Sequence, residues 1–163
     1  LKNMNFTIRK ALEKDMPQVL NLIKELAIFE KEPNAVELTV TDLQKDGFGK
    51  HPAFQCFVGE INNTIEGIAL VYMRYSTWKG VVLHLEDLVV NPKMRGLGIG
   101  NALLDEVVKY GHHLGVKRIS WEVLDWNERA ITFYEKKGAK ILKDWKVVQL
   151  DERGIKNYIS KIS

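Results

Sequence analysis

The sequence lacks several features that would place it in common protein classes. Cys56 is its one cysteine, so no disulfide can form within the chain. No apolar run is long enough to cross a bilayer, and no signal peptide is recognisable. The net charge is only +3 and is spread along the chain, which gives no reason to expect nucleic acid or a membrane as partner. These absences favour a cytoplasmic protein.

Common cofactor motifs are also missing. The glycines do not form the G-x-G-x-x-G fingerprint of dinucleotide-binding proteins, and no Gly-Lys-Ser/Thr of a P-loop is present. The histidines do not combine with Cys56 in a metal-binding pattern, so we expect no metal; they are His51, His84, His112 and His113. No nucleophile–base arrangement indicates covalent catalysis.

What remains is an ordinary globular composition. Of the residues, 45% are hydrophobic and 28% are charged, which can fill a core. We expect one domain over residues 1–163, with residues 1–4 as a leader or a cloning remnant. Periodicity predicts a strand at about 5–10, a helix capped by Asp15 that fades near 29–31, and a short helix opened by Thr39 or Thr41. Three strands follow, and then a helix over about 98–114 and a strand over Lys117–Leu124. The pattern ends with a helix over about 128–137 and final strands at 140–142 and 145–150. The last ten residues are compatible with strand or helix. This order predicts an α/β (α+β) fold with a hairpin and βαβ crossovers around one sheet.

The stretch from His84 to Leu104 carries the chemistry. An apolar strand bears the adjacent acids Glu86 and Asp87, and a loop from Arg95 to Gly100 has glycine at every second position. Such a loop can direct several backbone N–H groups at one anion, and the helix that follows adds its positive end. The stretch therefore predicts a phosphate or pyrophosphate site beside carboxylates. A plain glycine-rich turn is the alternative.

The same stretch resembles the acetyl-CoA motif of the GNAT N-acetyltransferases. The resemblance implies a GNAT fold with a mixed central sheet, antiparallel N-terminal strands, a splayed parallel pair and helices on both faces. It also implies acetyl-CoA as cosubstrate, bound by pantetheine contacts with the main chain of Leu88, Val89 and Val90. The pyrophosphate would lie against the loop and helix start, which comprise Arg95, Gly96, Leu97, Gly98, Ile99, Gly100 and Asn101.

A second block, from Asn127 to Ala139, is similar to another CoA segment of the family, Asn-x-x-Ala-x-x-Phe-Tyr-x-x-x-Gly. The resemblance implies that Asn127, Glu128, Arg129 and Ala130 contribute to cofactor binding. It implies that Tyr134, two helical turns after Asn127 on the same face, protonates the departing CoA thiolate. Core packing is the alternative for both aromatic residues, and we adopt it for Phe133 only.

Further segments resemble the spermidine/spermine (diamine) N-acetyltransferases and their thialysine-acetylating relatives. They include Leu22–Ala27, Asp46–Gly49 and Leu85–Asp87, and the match covers about residues 6–140. This closer resemblance implies a small cationic amine as acceptor and a homodimer. It also implies acceptor-binding positions on two elements, at Phe29 and Glu30 and at Ser120, Trp121 and Glu122. A solvated surface role is the alternative for Glu122.

Acetylation of an amine requires a group that removes a proton and groups that attract the cationic acceptor, and carboxylates can do both. The acceptor arrives as an ammonium with a pKa of about 10, so a base must take a proton, and acids nearby attract the cation. We expect Glu86 to act as the base through a water, the alternative being an edge-strand surface residue. Strand alternation directs Asp87 to the opposite face. A strand bulge, acceptor binding and a structural role remain open for Asp87.

The acceptor's identity depends on one departure from the resembled family. The polyamine enzymes have acidic residues after Gly-Ala, whereas this chain has the more basic and shorter Lys140–Asp144. This difference argues against long polyamines and leaves a shorter diamine, thialysine or a lysine-like amino acid. The prediction is direct acetyl transfer to a primary amine in a ternary complex. An acetyltransferase for protein amines and a non-catalytic acyl-CoA sensor are the alternatives.

Overall fold

The computed structural model of the protein describes residues 5–162. The predicted leader, residues 1–4, lies outside the described residues. The chain falls into two compact units, with the boundary between Glu122 and Val123. That all residues form one domain stays a prediction.

The first unit is built on a five-stranded mixed sheet in the order β1-β2-β3-β4-β5. Neighbouring strands from β1 to β4 are antiparallel, and β4 and β5 are parallel. The predicted α/β fold is therefore confirmed. The strand predicted over Lys117–Leu124 is reduced to two residues. The strands are β1 (Thr7–Lys10), β2 (Gln55–Ile61), β3 (Thr64–Ser76), β4 (Gly80–Val90) and β5 (Ile119–Ser120).

Three helices cover the sheet, namely α1 (Met16–Phe29), α2 (Val40–Phe48) and α3 (Ile99–His113). On one face, Cys56 and Val58 of β2 belong to the apolar cluster that includes Val19 and Leu22 of α1. On the other face, the ring of Phe57 packs edge-on against Tyr110 of α3 at 5.4 Å. Alternation along β2 therefore directs successive side chains to helices on opposite faces, as predicted.

The first helix does not begin as its sequence suggests. Asp15 was expected to cap α1, but its backbone is already helical and its side chain makes no cap hydrogen bond. The buried carboxylate instead accepts hydrogen bonds from the Arg9 guanidinium and the Leu12 N–H, each at 2.7 Å. The cap prediction is wrong because a charged partner from β1 engages this carboxylate.

Two β-bulges interrupt the sheet. The β2–β3 register shifts between Gly59 and Glu60, which leaves Glu66 as the extra residue on β3. The β3–β4 register shifts between Leu70 and Val71, which leaves Glu86 as the extra residue on β4. A bulge re-aims the side chains next to it. Each glutamate therefore departs from the regular in-and-out alternation of its strand.

The second unit contains α4 (Glu128–Lys136) and α5 (Glu152–Ile162). The strands predicted at 140–142 and 145–150 are wrong, because none of these described residues is in a strand. Val148, for example, is 91% exposed. Alternating apolar residues satisfy the pattern of a strand, but a strand also needs a partner to pair its backbone. None of the described helices is long and apolar enough to span a membrane.

Candidate active site

The free edge of β4 is the first component of the site. β3 pairs with one edge of β4 along its length, whereas β5 pairs with the other edge only at Leu83–Ile119 and His84–Ser120. Beyond His84, no described strand pairs with this second edge. The backbone of Leu88–Val90 is thus available on one side, which an extended ligand can use as a strand would.

The loop after β4 leads into the N-terminus of α3. Gly96 and Gly98 have φ of +85° and +90°, a region that glycine adopts without steric cost. The first intrahelical bond runs from the Ala102 N–H to the Gly98 carbonyl at 2.9 Å. The N–H groups of Ile99–Asn101 precede that bond and point out of the helix end, where the dipole also favours an anion.

Glu66 holds the start of this loop. Its carboxylate accepts a hydrogen bond from Asn91 Nδ2 at 2.7 Å, and its backbone carbonyl accepts one from the Asn91 N–H at 2.8 Å. Asn91 Oδ1 accepts in turn from the Lys93 N–H at 3.1 Å. Glu66 is only 7% exposed. Sequence reasoning missed this residue, because only the bulge turns a mid-strand glutamate toward the loop.

The second bulge places Glu86 and Asp87 on the same face of the sheet. Glu86 lies two residues after His84, whose β3 partner is Tyr72, and Asp87 pairs with Leu70, two residues from Tyr72. Leu70 and Tyr72 share a face because side chains alternate along β3. The prediction that Asp87 points to the opposite face is therefore wrong. The bulge that was left open as an alternative is the physical reason.

Glu86 is bound at one of its two oxygens. The Tyr72 hydroxyl donates to Glu86 Oε2 at 3.0 Å, and His84 Nε2 lies 3.5 Å from the same atom. The side chain of Glu86 is 52% exposed, whereas that of His84 is 7% exposed. Burial, followed by the Glu86 hydrogen bond, raises the pKa of Tyr72.

Asp87 lies in an uncompensated acidic environment. Burial raises its pKa to about 6, and the charges of Glu86 and Glu30 add to this effect. Glu30 follows the last residue of α1, and partial desolvation raises its pKa as well. The fold therefore brings three of the predicted acids close enough to repel one another. A cation placed among them would relieve the repulsion.

The remaining predicted acceptor residues lie on both sides of these acids. The Arg95 guanidinium lies over the Phe29 ring at 5.5 Å. A residue predicted to bind the pyrophosphate is therefore next to a residue predicted to bind the acceptor. Ser120 Oγ is 3.3 Å from His84 Nδ1. Glu122 is exposed and its charge acts on His84 and Tyr72. Trp121 is half-buried.

Sequence reasoning also missed His84 and Tyr72 as parts of this site. His84 could have been predicted from the sequence, because residues two apart on a strand share a face and His84 is two residues before Glu86. Tyr72 could not, because its contact with Glu86 depends on the register between β3 and β4. Among residues 5–162, no group of three or more His, Cys, Asp or Glu side chains is placed to hold a metal ion.

In the second unit, the predicted cofactor residues lie on two faces of α4. Asn127 is the N-cap, and its Oδ1 accepts a hydrogen bond from the Ala130 N–H at 3.3 Å. Helical spacing places Asn127, Ala130 and Tyr134 on one face. The opposite face borders a groove of about 400 Å³, lined by Glu128, Arg129, Thr132, Phe133 and Lys136.

Tyr134 is 8% exposed, and burial raises the pKa of its phenol. The hydroxyl therefore stays protonated at neutral pH. A protonated phenol has the state required of a general acid.

Comparison with known proteins defines the class of protein. Residues 16–139 match the acetyltransferase (GNAT) family. The chain belongs to this family and is an N-acetyltransferase.

Two relatives are similar in sequence, and one solved structure is similar in fold. The chain is 39% identical over 143 residues to a thialysine N-epsilon-acetyltransferase of Bos taurus, covering 83% of this chain and 84% of that protein. It is 38% identical over 141 residues to the spermidine/spermine N(1)-acetyltransferase-like protein 1 of Homo sapiens, covering 82% of this chain and 20% of that protein. An integron cassette protein of V. cholerae shares the fold, with a TM-score of 0.78 at 20% identity, covering 97% of this chain and 99% of that one.

Proposed function

We propose that the protein transfers an acetyl group from acetyl-CoA to a primary amine of a small cationic acceptor, by direct transfer in a ternary complex. The observation that carries this proposal is the position of the acids. Glu86 and Asp87 share one face at the point of β4 where its second edge has no described strand partner. The same strand leads directly into the anion-binding loop, so a site for a cation and a site for pyrophosphate adjoin.

Acetyl-CoA suits the groups that the first unit offers. The exposed edge of Leu88–Val90 matches the extended pantetheine arm, and the N–H groups from Gly96 to Asn101 match the pyrophosphate. Arg95 adds a positive charge at this loop. From the second unit, Asn127, Glu128, Arg129 and Ala130 are proposed to contribute through the resemblance of their segment. The bound thioester would supply the acetyl group.

Two residues are proposed to move protons. Glu86 accepts a proton from the acceptor ammonium through a water, and its open Oε1 side suits this role because the described contacts converge on Oε2. The neutral amine then attacks the thioester carbonyl. Tyr134 donates a proton to the departing sulfur and recovers one from the newly acylated nitrogen. One proton per turnover is left over, and it must leave the Glu86 side.

The acidic cluster of Glu30, Glu86 and Asp87 supports a cationic acceptor. Asp87 has a pKa of about 6, so an ammonium that binds beside it favours the ionised form. The names of the thialysine and spermidine/spermine-like relatives agree with such an acceptor. Phe29, Ser120, Trp121 and Glu122 are proposed to complete its site. The basic segment Lys140–Asp144 argues against long polyamines.

The proposal includes three statements on context, of which the homodimer rests on the family resemblance and the other two on the length and composition of the sequence. The protein is proposed to act as a homodimer, to form one domain and to work in the cytoplasm. No nucleic acid or membrane partner is part of the proposal.

A panel of amines tests the proposed function. Thialysine, lysine, ornithine, putrescine and spermidine are each incubated with acetyl-CoA, and free thiol is measured. We expect turnover with short diamines or basic amino acids and weak turnover with spermidine. Glu25→Gln, which removes an exposed charge on α1, serves as the control for Glu86→Gln. Turnover with a peptide amine but with none of the small amines would contradict the proposal.

A further inference from the structure

The proposed reaction leaves one proton on the side of Glu86, and the structure offers a second group that can hold it until the product has left. Behind the half-exposed Glu86 lies the buried imidazole of His84. A buried histidine that contacts both a carboxylate and a hydroxyl can receive a proton at one nitrogen while donating from the other.

Four contacts define this arrangement. His84 Nε2 is 3.5 Å from Glu86 Oε2, and His84 Nδ1 is 3.3 Å from Ser120 Oγ. The Tyr72 hydroxyl donates to Glu86 Oε2 at 3.0 Å, and the Tyr72 ring lies 5.1 Å from the His84 ring. Three elements therefore fix the imidazole, since Tyr72 belongs to β3, His84 to β4 and Ser120 to β5. A residue that orients a catalytic base must itself be held in place, and these contacts hold the His84 imidazole.

We propose that His84, oriented by Ser120, is a positioning and proton-relay residue for Glu86. This inference rests on the proposed function, because it needs Glu86 to receive the acceptor's proton. His84 is 7% exposed at its side chain, so it acts through Glu86 and not on the amine itself.

The proton is conserved at each step. The ammonium loses one proton through water to Glu86. Glu86 then passes it to the lone pair of His84 Nε2, a step that uses the tautomer with its hydrogen on Nδ1, facing Ser120 Oγ. The resulting imidazolium lies beside the regenerated Glu86 carboxylate. When the acetylated product has left, the imidazolium passes the proton back to Glu86, which releases it to solvent. No oxidant, reductant or further reactant is consumed.

Burial favours a neutral imidazole at His84, and the nearby carboxylates allow it to accept a proton. Burial lowers its pKa, Glu86 raises it, Arg74 on β3 lowers it and Glu122 after β5 raises it. Tyr72 stays neutral, because burial and the Glu86 hydrogen bond raise its pKa. His84 is therefore uncharged at neutral pH and has a nitrogen lone pair that can accept a proton.

Activity measurements give the first test. His84→Gln preserves the size and polarity of the side chain but cannot relay a proton, and His113→Gln, at the end of α3, is the matched control. We expect His84→Gln to lower kcat about tenfold or more, within the usual range of acid–base assistance. The KM for acetyl-CoA should stay unchanged. The acidic limb of the wild-type kcat profile, which reflects protonation of His84, should be lost. Wild-type kcat and an unchanged acidic limb in His84→Gln would overturn the relay.

A second measurement needs no turnover. The His84 imidazole is titrated by NMR in the wild type, in Glu86→Gln and in Ser120→Ala. Because the Glu86 charge raises the His84 pKa, its removal should lower that pKa further, and Ser120→Ala should change the tautomer signals. If the pKa of His84 were the same in the wild type and in Glu86→Gln, the relay would be overturned, whatever the activity of the variants. Absence of wild-type turnover with every amine would instead contradict the proposed function, so the two failures are distinguishable.

Discussion

Glu66 and Glu86 each lie at a β-bulge, but their side chains differ in burial and in contacts. Each is the extra residue of an antiparallel strand pair, and each leaves the alternation of its strand. Glu66 is buried and hydrogen-bonded to Asn91, so it fixes a loop. Glu86 is half exposed with its described contacts on one oxygen. The bulge re-aims each side chain, and the difference in burial agrees with a structural role for Glu66 and with the reactive role proposed for Glu86.

The largest effect should come from Glu86. Replacing Glu86 by glutamine keeps the Tyr72 contact but removes the base, so kcat should fall about 100-fold or more. The dissociation constant of acetyl-CoA should change little, because the proposed CoA contacts lie beyond the bulge. Steady-state thiol release and equilibrium CoA binding measure the two quantities. A variant with normal kcat would show that Glu86, like Glu66, is structural.

Asp87→Asn should stabilise the protein at neutral pH. The folded-state pKa of Asp87 is about 6, against an ordinary value of 3.8, so the folded state binds the proton more tightly than the unfolded state. Stability is then lost as pH rises from about 4 to 6, and the penalty persists above that range. The gain should be on the order of 2 kcal/mol at pH 7.5 and should vanish near pH 3.5.

Urea unfolding at both pH values measures this gain, and the exposed Asp46→Asn serves as control. The variant should also bind the acceptor amine more weakly. An equal gain at both pH values would mean that ionisation of the buried Asp87 carboxyl is not its cause.

Glu66→Ala should destabilise the protein, in contrast to Asp87→Asn. It leaves the half-buried Asn91 amide without its carboxylate partner, which should cost about 1–2 kcal/mol of unfolding free energy. Because Asn91 begins the loop, the KM for acetyl-CoA should rise while kcat stays within about twofold. Glu37→Ala, in an exposed segment, is the control. A fall in kcat at unchanged KM would contradict the division of roles between the two bulges.

The smallest effect should come from Tyr72→Phe. It removes one hydrogen bond to Glu86 and keeps the ring beside His84, so kcat should fall only about threefold to tenfold. Steady-state thiol release measures this change. A loss as large as that of Glu86→Gln would make Tyr72 a direct participant in the reaction.

Much of this architecture could be predicted from sequence, because it depends on local signals. Apolar spacing predicted α1 and α3 almost to their ends. Thr39 or Thr41 was predicted to open α2, and Thr39 does so in a capping box with Asp42. The glycine loop before α3 was predicted from the freedom that Gly96 and Gly98 require.

The failures share a different cause, namely dependence on partners distant in sequence. The face of Asp87, the role of Glu66 and the contact of Tyr72 with Glu86 all depend on strand register, which alternation does not specify. The strands expected at 140–142 and 145–150 fail for the same reason. Their pattern is strand-like, but pairing is decided by the rest of the fold.

The central claim is acetyl transfer to a small cationic amine at the Glu86 bulge. Mass spectrometry of a reaction with acetyl-CoA and thialysine or a short diamine tests it most directly, with wild type and Glu86→Gln compared at equal concentration. The account predicts a mono-acetylated amine formed in step with free thiol, and about 100-fold more slowly by Glu86→Gln. No acetylated product from any small amine, or equal rates for the two proteins, would contradict it.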